Sequence, residues 1–96
     1  FKTFMTNAPD HAQAWGEMVR SLAEASALEG KMWELAYISV LAAMNRVGGI
    51  PFHVISAKKA GATREEVISA ILVGLPAAGH IVTQSLPAAI EAYDAF

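Results

Sequence analysis

The chain has 96 residues, 54% of them hydrophobic, and its seven basic and nine acidic side chains give a formal net charge of −2. There is no cysteine, which excludes a disulfide framework and a thiol nucleophile. Lys58, Lys59 and Arg64 form the only local basic patch, which argues against a nucleic-acid partner. The length supports one domain, 1–96, and the apolar share exceeds what so small a monomer can bury, which predicts a homo-oligomer.

Pro9 and Asp10 precede the first helical pattern, in which Trp15, Met18, Val19 and Leu22 recur at the spacing of one helix face, with Asp10 and Gln13 placed as a capping box. A turn near Leu28 to Gly30 leads to a second helix, about Lys31 to Val47, apolar nearly all round and therefore central. Its apolar run, 32–44, is interrupted by Glu34 and Ser39 and falls short of the roughly 20 residues that span a bilayer, so no membrane partner is expected. Gly48 and Gly49 are expected to end it. Pro51 fits the first turn of a third helix and Gly61 the left-handed position that closes it. Thr63 and Glu66 form a capping box that opens a fourth helix, with Val67, Ile71 and Leu75 at helical spacing. Gly74, Pro76 and Gly79 predict a bend or break before a fifth helix from about His80, kinked by Pro87. No alternating strand pattern competes, so the fold class is all-α.

Glu34 is the only charged residue between Lys31 and Arg46. It is either a first-turn carboxylate favoured by the helix dipole and still in reach of water, or a buried one paired with a donor for proton transfer. His53 falls in the first turn of the third helix, with Ala57 and Ala60 on its face; it reads as a neutral base or as a histidine hydrogen-bonded in a packed interface. A simple hairpin does not bring Glu34 beside His53, so tilted packing or a neighbouring subunit would be needed. Arg46 reads as a last-turn cation at a helix C-terminus or as a grip for a substrate carboxylate. His80 is a helix-start residue or a third site residue, and His11 a solvated first-turn histidine. Without a His-x3-His spacing these histidines give only a weak metal signal, and no metal or cofactor is expected.

These residues resemble the carboxymuconolactone decarboxylase family, which includes alkyl hydroperoxidase D. The likeness covers about residues 28 to 96. It runs through Leu28-x-x-Lys31-x-x-Glu34-Leu35, the apolar helix, His53, the stretch Ala60-Gly61-Ala62-Thr63-Arg64-Glu65-Glu66, and the helix after Gly79. The hydroperoxidase branch carries a glutamate, two cysteines separated by two residues, and a histidine after three more. Glutamate and histidine fall on Glu34 and His53, but Arg46 and Gly49 occupy the cysteine positions. The thiol chemistry of that branch has no usual route here. The decarboxylase branch, which has the histidine without needing the cysteine pair, is the nearer functional model. The resemblance implies a compact bundle of five or six helices assembled as a trimer or hexamer.

The leading expectation is a lyase acting on a small carboxylated lactone or related acid. In it His53 is the general acid/base, Glu34 orients or relays, and Arg46 or a backbone amide near Gly49 holds a carboxylate. Trp33, Tyr37 and Phe52 would line a pocket that excludes water, with His80 as a further candidate. The alternatives are a non-catalytic oligomeric scaffold and a peroxidase, the latter without an evident electron carrier. With no secretory signal in view, a cytoplasmic location is expected, although Phe1 in place of Met leaves room for a leader segment.

Overall fold

A computed structural model describes residues 1–96. The chain forms seven α-helices and no strand: α1 (Lys2–Asn7), α2 (Pro9–Ala25), α3 (Lys31–Ala43), α4 (Ile50–Lys59), α5 (Arg64–Leu72), α6 (Leu75–Ala78) and α7 (Leu86–Ala95). Single 3-10 segments, Val47–Gly49 and His80–Ser85, precede α4 and α7.

The core is the seam among α3, α4, α5 and α7, where Ile38, Ala42, Ile50, Val54, Val67, Ile71, Val82 and Ala89 are buried. Most of these side chains are small or β-branched, so the helices approach closely. Polar contacts fix how the helices sit. The Ser39 hydroxyl on α3 bonds the Ala70 carbonyl of α5 at 2.7 Å. Lys31 reaches Glu66 at 3.1 Å, tying the starts of α3 and α5. Tyr93 of α7 donates to the Ala62 carbonyl at 2.8 Å, and Lys58 of α4 donates to the Tyr93 carbonyl at 2.8 Å.

Helix ends follow the local chemistry closely at three points. Thr63 and Glu66 make the reciprocal capping box, with Glu66 N–H to Thr63 Oγ1 at 3.0 Å and Thr63 N–H to Glu66 Oε1 at 2.8 Å. Gly61 takes φ +99° after α4, and the Ala62 N–H closes back on the Ala57 carbonyl. Gly74, Pro76 and Gly79 break the chain into the four-residue α6 before the turn of reversed φ at Gly79.

Elsewhere the structure corrects the sequence reading. Ala8, not Asp10, caps α2; Pro9 takes the first helical position, where its missing N–H costs nothing, and Asp10 lies inside the first turn. Gln13 bonds Glu17 instead. The second helix stops at Ala43 rather than Val47, because Asn45 adopts φ +55° and lets the Arg46 N–H bond the Leu41 carbonyl at 2.8 Å. Asn tolerates that left-handed position and so does the work expected of the glycines. Arg46 therefore lies beyond the last turn rather than in it. Pro87 does not kink a long helix; it sits in the first turn of α7, where it marks the change from the 3-10 segment to α-helix.

The α1–α2 hairpin stands apart from this core. Neither helix has a buried residue, and the apolar face of α2 leaves Trp15, Met18 and Leu22 exposed. The central helix α3 likewise buries only one side, with Met32 and Val40 exposed on the other. No helix is long and apolar enough to cross a membrane.

Candidate active site

His53 sits in the first turn of α4, behind Ile50 and Pro51, and projects toward α3. Its Nδ1 lies 2.8 Å from Oε1 of Glu34, in the first turn of α3. Both side chains are largely withdrawn from solvent, at 20% and 14% exposure. The pair is made within one chain.

The early end of α3 explains how they meet. Asn45 turns the chain back and the 3-10 segment carries it alongside α3, so Gly49 packs on Leu41 rather than continuing past Val47. Counting backward along antiparallel helices, His53 comes level with Tyr37, whose ring lies against the imidazole at 4.2 Å and 21° between planes. Glu34 is then one turn further along α3, roughly 5 Å of axial distance, within reach of a glutamate side chain.

The imidazole is held on three sides. Tyr37 stacks on one face, Phe52 meets it edge-on at 5.1 Å, and Glu34 fixes Nδ1. Trp33 continues the surface by stacking on Tyr37 at 6.3 Å. Because Nδ1 faces a carboxylate, the neutral ring carries its proton there, which leaves the Nε2 lone pair free to take one.

His53 forms part of the wall of a cavity of about 560 Å³, within the roughly 300–1,000 Å³ common for small-molecule sites. Trp33, Tyr37, Gly49 and Phe52 complete the wall on the core side, and Phe1, Trp15 and Val19 of the N-terminal hairpin line the opposite side. Glu34 lies behind His53 rather than in the wall. Arg46 and His80 are both exposed and outside it. A second hollow of about 450 Å³ between α3 and α5, lined by Ser39, Glu65 and Glu66 among others, is a shallow groove with no histidine in its wall. No group of three or more His, Asp or Glu residues is placed to hold a metal ion.

Sequence reasoning missed the hairpin's part in the site. Trp15 and Val19 read only as part of one apolar helix face, because their helical spacing is the same whether that face covers a core or a cavity. Phe1 carried no signal at all; it reaches the cavity through the turn at Ala8, where its ring packs at 5.5 Å from Trp15.

Residues 9–92 match the model of the carboxymuconolactone decarboxylase family. The chain belongs to that family. The match begins earlier than the sequence resemblance and takes in α2, so the helix that carries Trp15 and Val19 is part of the family domain. No curated protein and no solved structure matches the chain. For this member of the carboxymuconolactone decarboxylase family the site is therefore defined by its own geometry: a carboxylate-oriented histidine at the edge of an aromatic cavity.

Proposed function

We propose that the chain is an acid–base enzyme, a decarboxylase-like lyase acting on a small ring compound in which the reacting carbon is conjugated to a carbonyl, such as a carboxylated lactone. The observation that carries the proposal is the 2.8 Å Glu34–His53 pair set at the wall of a 560 Å³ cavity. A histidine kept only for packing needs no adjoining space, so the cavity favours the enzyme over a non-catalytic scaffold. Peroxide reduction has no thiol to use.

In the lyase reaction the bond from the ring carbon to the carboxylate breaks, carbon dioxide leaves, and the bonding electron pair moves into the conjugated carbonyl. His53, having taken a proton from water at the Nε2 lone pair, gives that proton to the ring carbon as the carbonyl re-forms and returns to the neutral ring. Glu34 is a positioning residue: it holds the ring tautomer and stabilises the imidazolium between proton transfers. Arg46, exposed outside the cavity, has no part in this scheme.

The test is turnover of a panel of small carboxylated lactones, followed as carbon dioxide release, with wild type and His53→Gln. The expected loss is about 10²- to 10⁴-fold with the helical circular dichroism unchanged. Equal rates would remove His53 from the chemistry.

The exposed apolar faces of α2 and α3 support self-association of the chain, and the trimer or hexamer implied by the sequence resemblance is part of this reading.

A further inference from the structure

We infer that a small hollow on α3, between Leu28 and Val40, seats the apolar ridge of α2 from a second copy of this chain. That contact backs the aromatic stack holding His53, so the site is complete only in the assembly. The link to turnover rests on the acid–base reading; the docking itself does not.

A single chain exposes more surface than its mass accounts for. A compact folded chain of 10.2 kDa exposes about 5,300 Å², whereas this one exposes 6352 Å². The excess, about 1,000 Å², is close to the roughly 800 Å² that one partner gives up in a stable interface. The radius of gyration is 14.0 Å, against about 12.5 Å for a domain of this length. The α1–α2 hairpin, which has no buried residue, carries much of that area.

Both halves of a contact are present on one chain. Met18 and Leu22, one turn apart on α2, form a ridge 51% and 59% exposed. The hollow, about 170 Å³, is lined by Leu28, Trp33, Ala36, Tyr37 and Val40, with no charged side chain to desolvate. Ala36 lies between the larger neighbours Met32 and Val40 at four-residue spacing along α3, which leaves a groove for a facing ridge. The chain's own α2 does not fill it: Trp15 and Val19 line the cavity beside His53, and no residue of α2 lines this hollow. A foreign partner in the hollow would leave the α2 ridge in water. A second copy covers both, because each copy gives one ridge and receives another.

Trp33 and Tyr37 line this hollow and the cavity of His53 alike. Tyr37 stacks on the imidazole at 4.2 Å and Trp33 on Tyr37 at 6.3 Å. In the single chain Tyr37 is 37% exposed. A partner side chain in the hollow removes the space into which these two rings could turn, and so keeps the imidazole in the pose that Glu34 sets.

The absence of native cysteine makes the contact directly testable. Leu22→Cys and, as a second ridge position, Met18→Cys are each refolded from urea together with Val40→Cys and mildly oxidised. Each protein then has one thiol, so every disulfide joins two copies. The expected result is that a ridge-to-Val40 link exceeds the self-linked products at least about fivefold, since disulfide geometry is specific. Val40→Lys, at a side chain 56% exposed and outside the cavity of His53, is expected to give a single chain by light scattering. Its near-ultraviolet circular dichroism should weaken and its turnover of carboxylated lactones fall at least about tenfold, with the helical signal unchanged. Val40→Leu keeps all three properties of the wild type. No ridge-to-Val40 link, or a Val40→Lys protein that stays assembled, would overturn the docking. A single chain with unchanged near-ultraviolet signal or full turnover would overturn the link to the site. Absence of lactone turnover in the wild type would sink the acid–base reading alone, because cross-linking, mass and the near-ultraviolet signal do not depend on it.

Discussion

Leu41 fills the space that a side chain at Gly49 would need: a Cβ built on Gly49 would lie 3.3 Å from both Cδ1 and Cδ2 of Leu41. Gly49 has ordinary helical angles, so the glycine is there for closeness and not for backbone freedom. This contact sets the register of α4 against α3 and thereby brings His53 level with Tyr37. Gly49→Val is expected to destabilise the fold by about 1–3 kcal/mol through overpacking. Adding Leu41→Ala should recover part of that loss. Urea unfolding of the two single variants and the double variant measures both, and strictly additive losses would show that the two positions do not share this space.

Glu34→Gln keeps the size of the side chain and removes the charge that fixes the His53 proton on Nδ1. Turnover is expected to fall at least about tenfold, in the range seen when an orienting partner of a functional histidine is lost. Nitrogen-resolved NMR of the imidazole separates orientation from mere stability. The wild type should show the proton on Nδ1, and the variant a mixture of tautomers. An unaltered tautomer would mean that Tyr37 and Phe52 hold the ring without help from Glu34.

Ser85 is fully buried at the end of the 3-10 segment, and its hydroxyl has no hydrogen-bond partner. Ser85→Ala removes a desolvated polar group at almost no cost in volume. A gain of about 1 kcal/mol is expected from thermal or urea unfolding. A loss of stability would show that the hydroxyl is satisfied in solution.

The exposed ion pairs give the fold an acid limit. The backbone N–H of Thr63, and then Lys31, hold the Glu66 carboxyl below its ordinary range. The hydrogen bond from Arg64 does the same for Asp94 and raises Arg64 in return. Both carboxyls therefore release their protons more readily in the folded chain, and the unfolded chain binds more protons. Their contribution is complete above the ordinary values, about 4.3 for Glu and 3.9 for Asp, and is lost as pH falls through the lowered ones. Melting temperature followed from pH 7 to pH 3 should decline less steeply in Glu66→Gln, which keeps the capping-box geometry without the charge. Parallel declines would assign the acid sensitivity elsewhere.

Leu22, 59% exposed on the apolar face of α2, tests the proposed self-association. Leu22→Glu places a charge in any interface made by that face and should lower the mass measured by light scattering from oligomer to single chain. An unchanged mass would move the interface away from α2.

The sequence alone determined the helical class and several of its boundaries, because these are local matters. Thr63 and Glu66 satisfy each other within one turn, Gly61 supplies the left-handed residue that ends α4, and Gly74, Pro76 and Gly79 limit the chain between them to the four-residue α6. It also singled out Glu34 and His53 as polar residues in apolar surroundings. Their meeting was decided only by the tertiary structure. An asparagine in place of a glycine ended α3 early, and Leu41 received Gly49, which shortened the hairpin enough for Glu34 to reach the imidazole. The same holds for the hairpin side of the cavity. A stripe of Trp15 and Val19 has one periodicity whether it covers a core or a cavity, and only the placement of the hairpin across from Trp33, Tyr37 and Phe52 tells which.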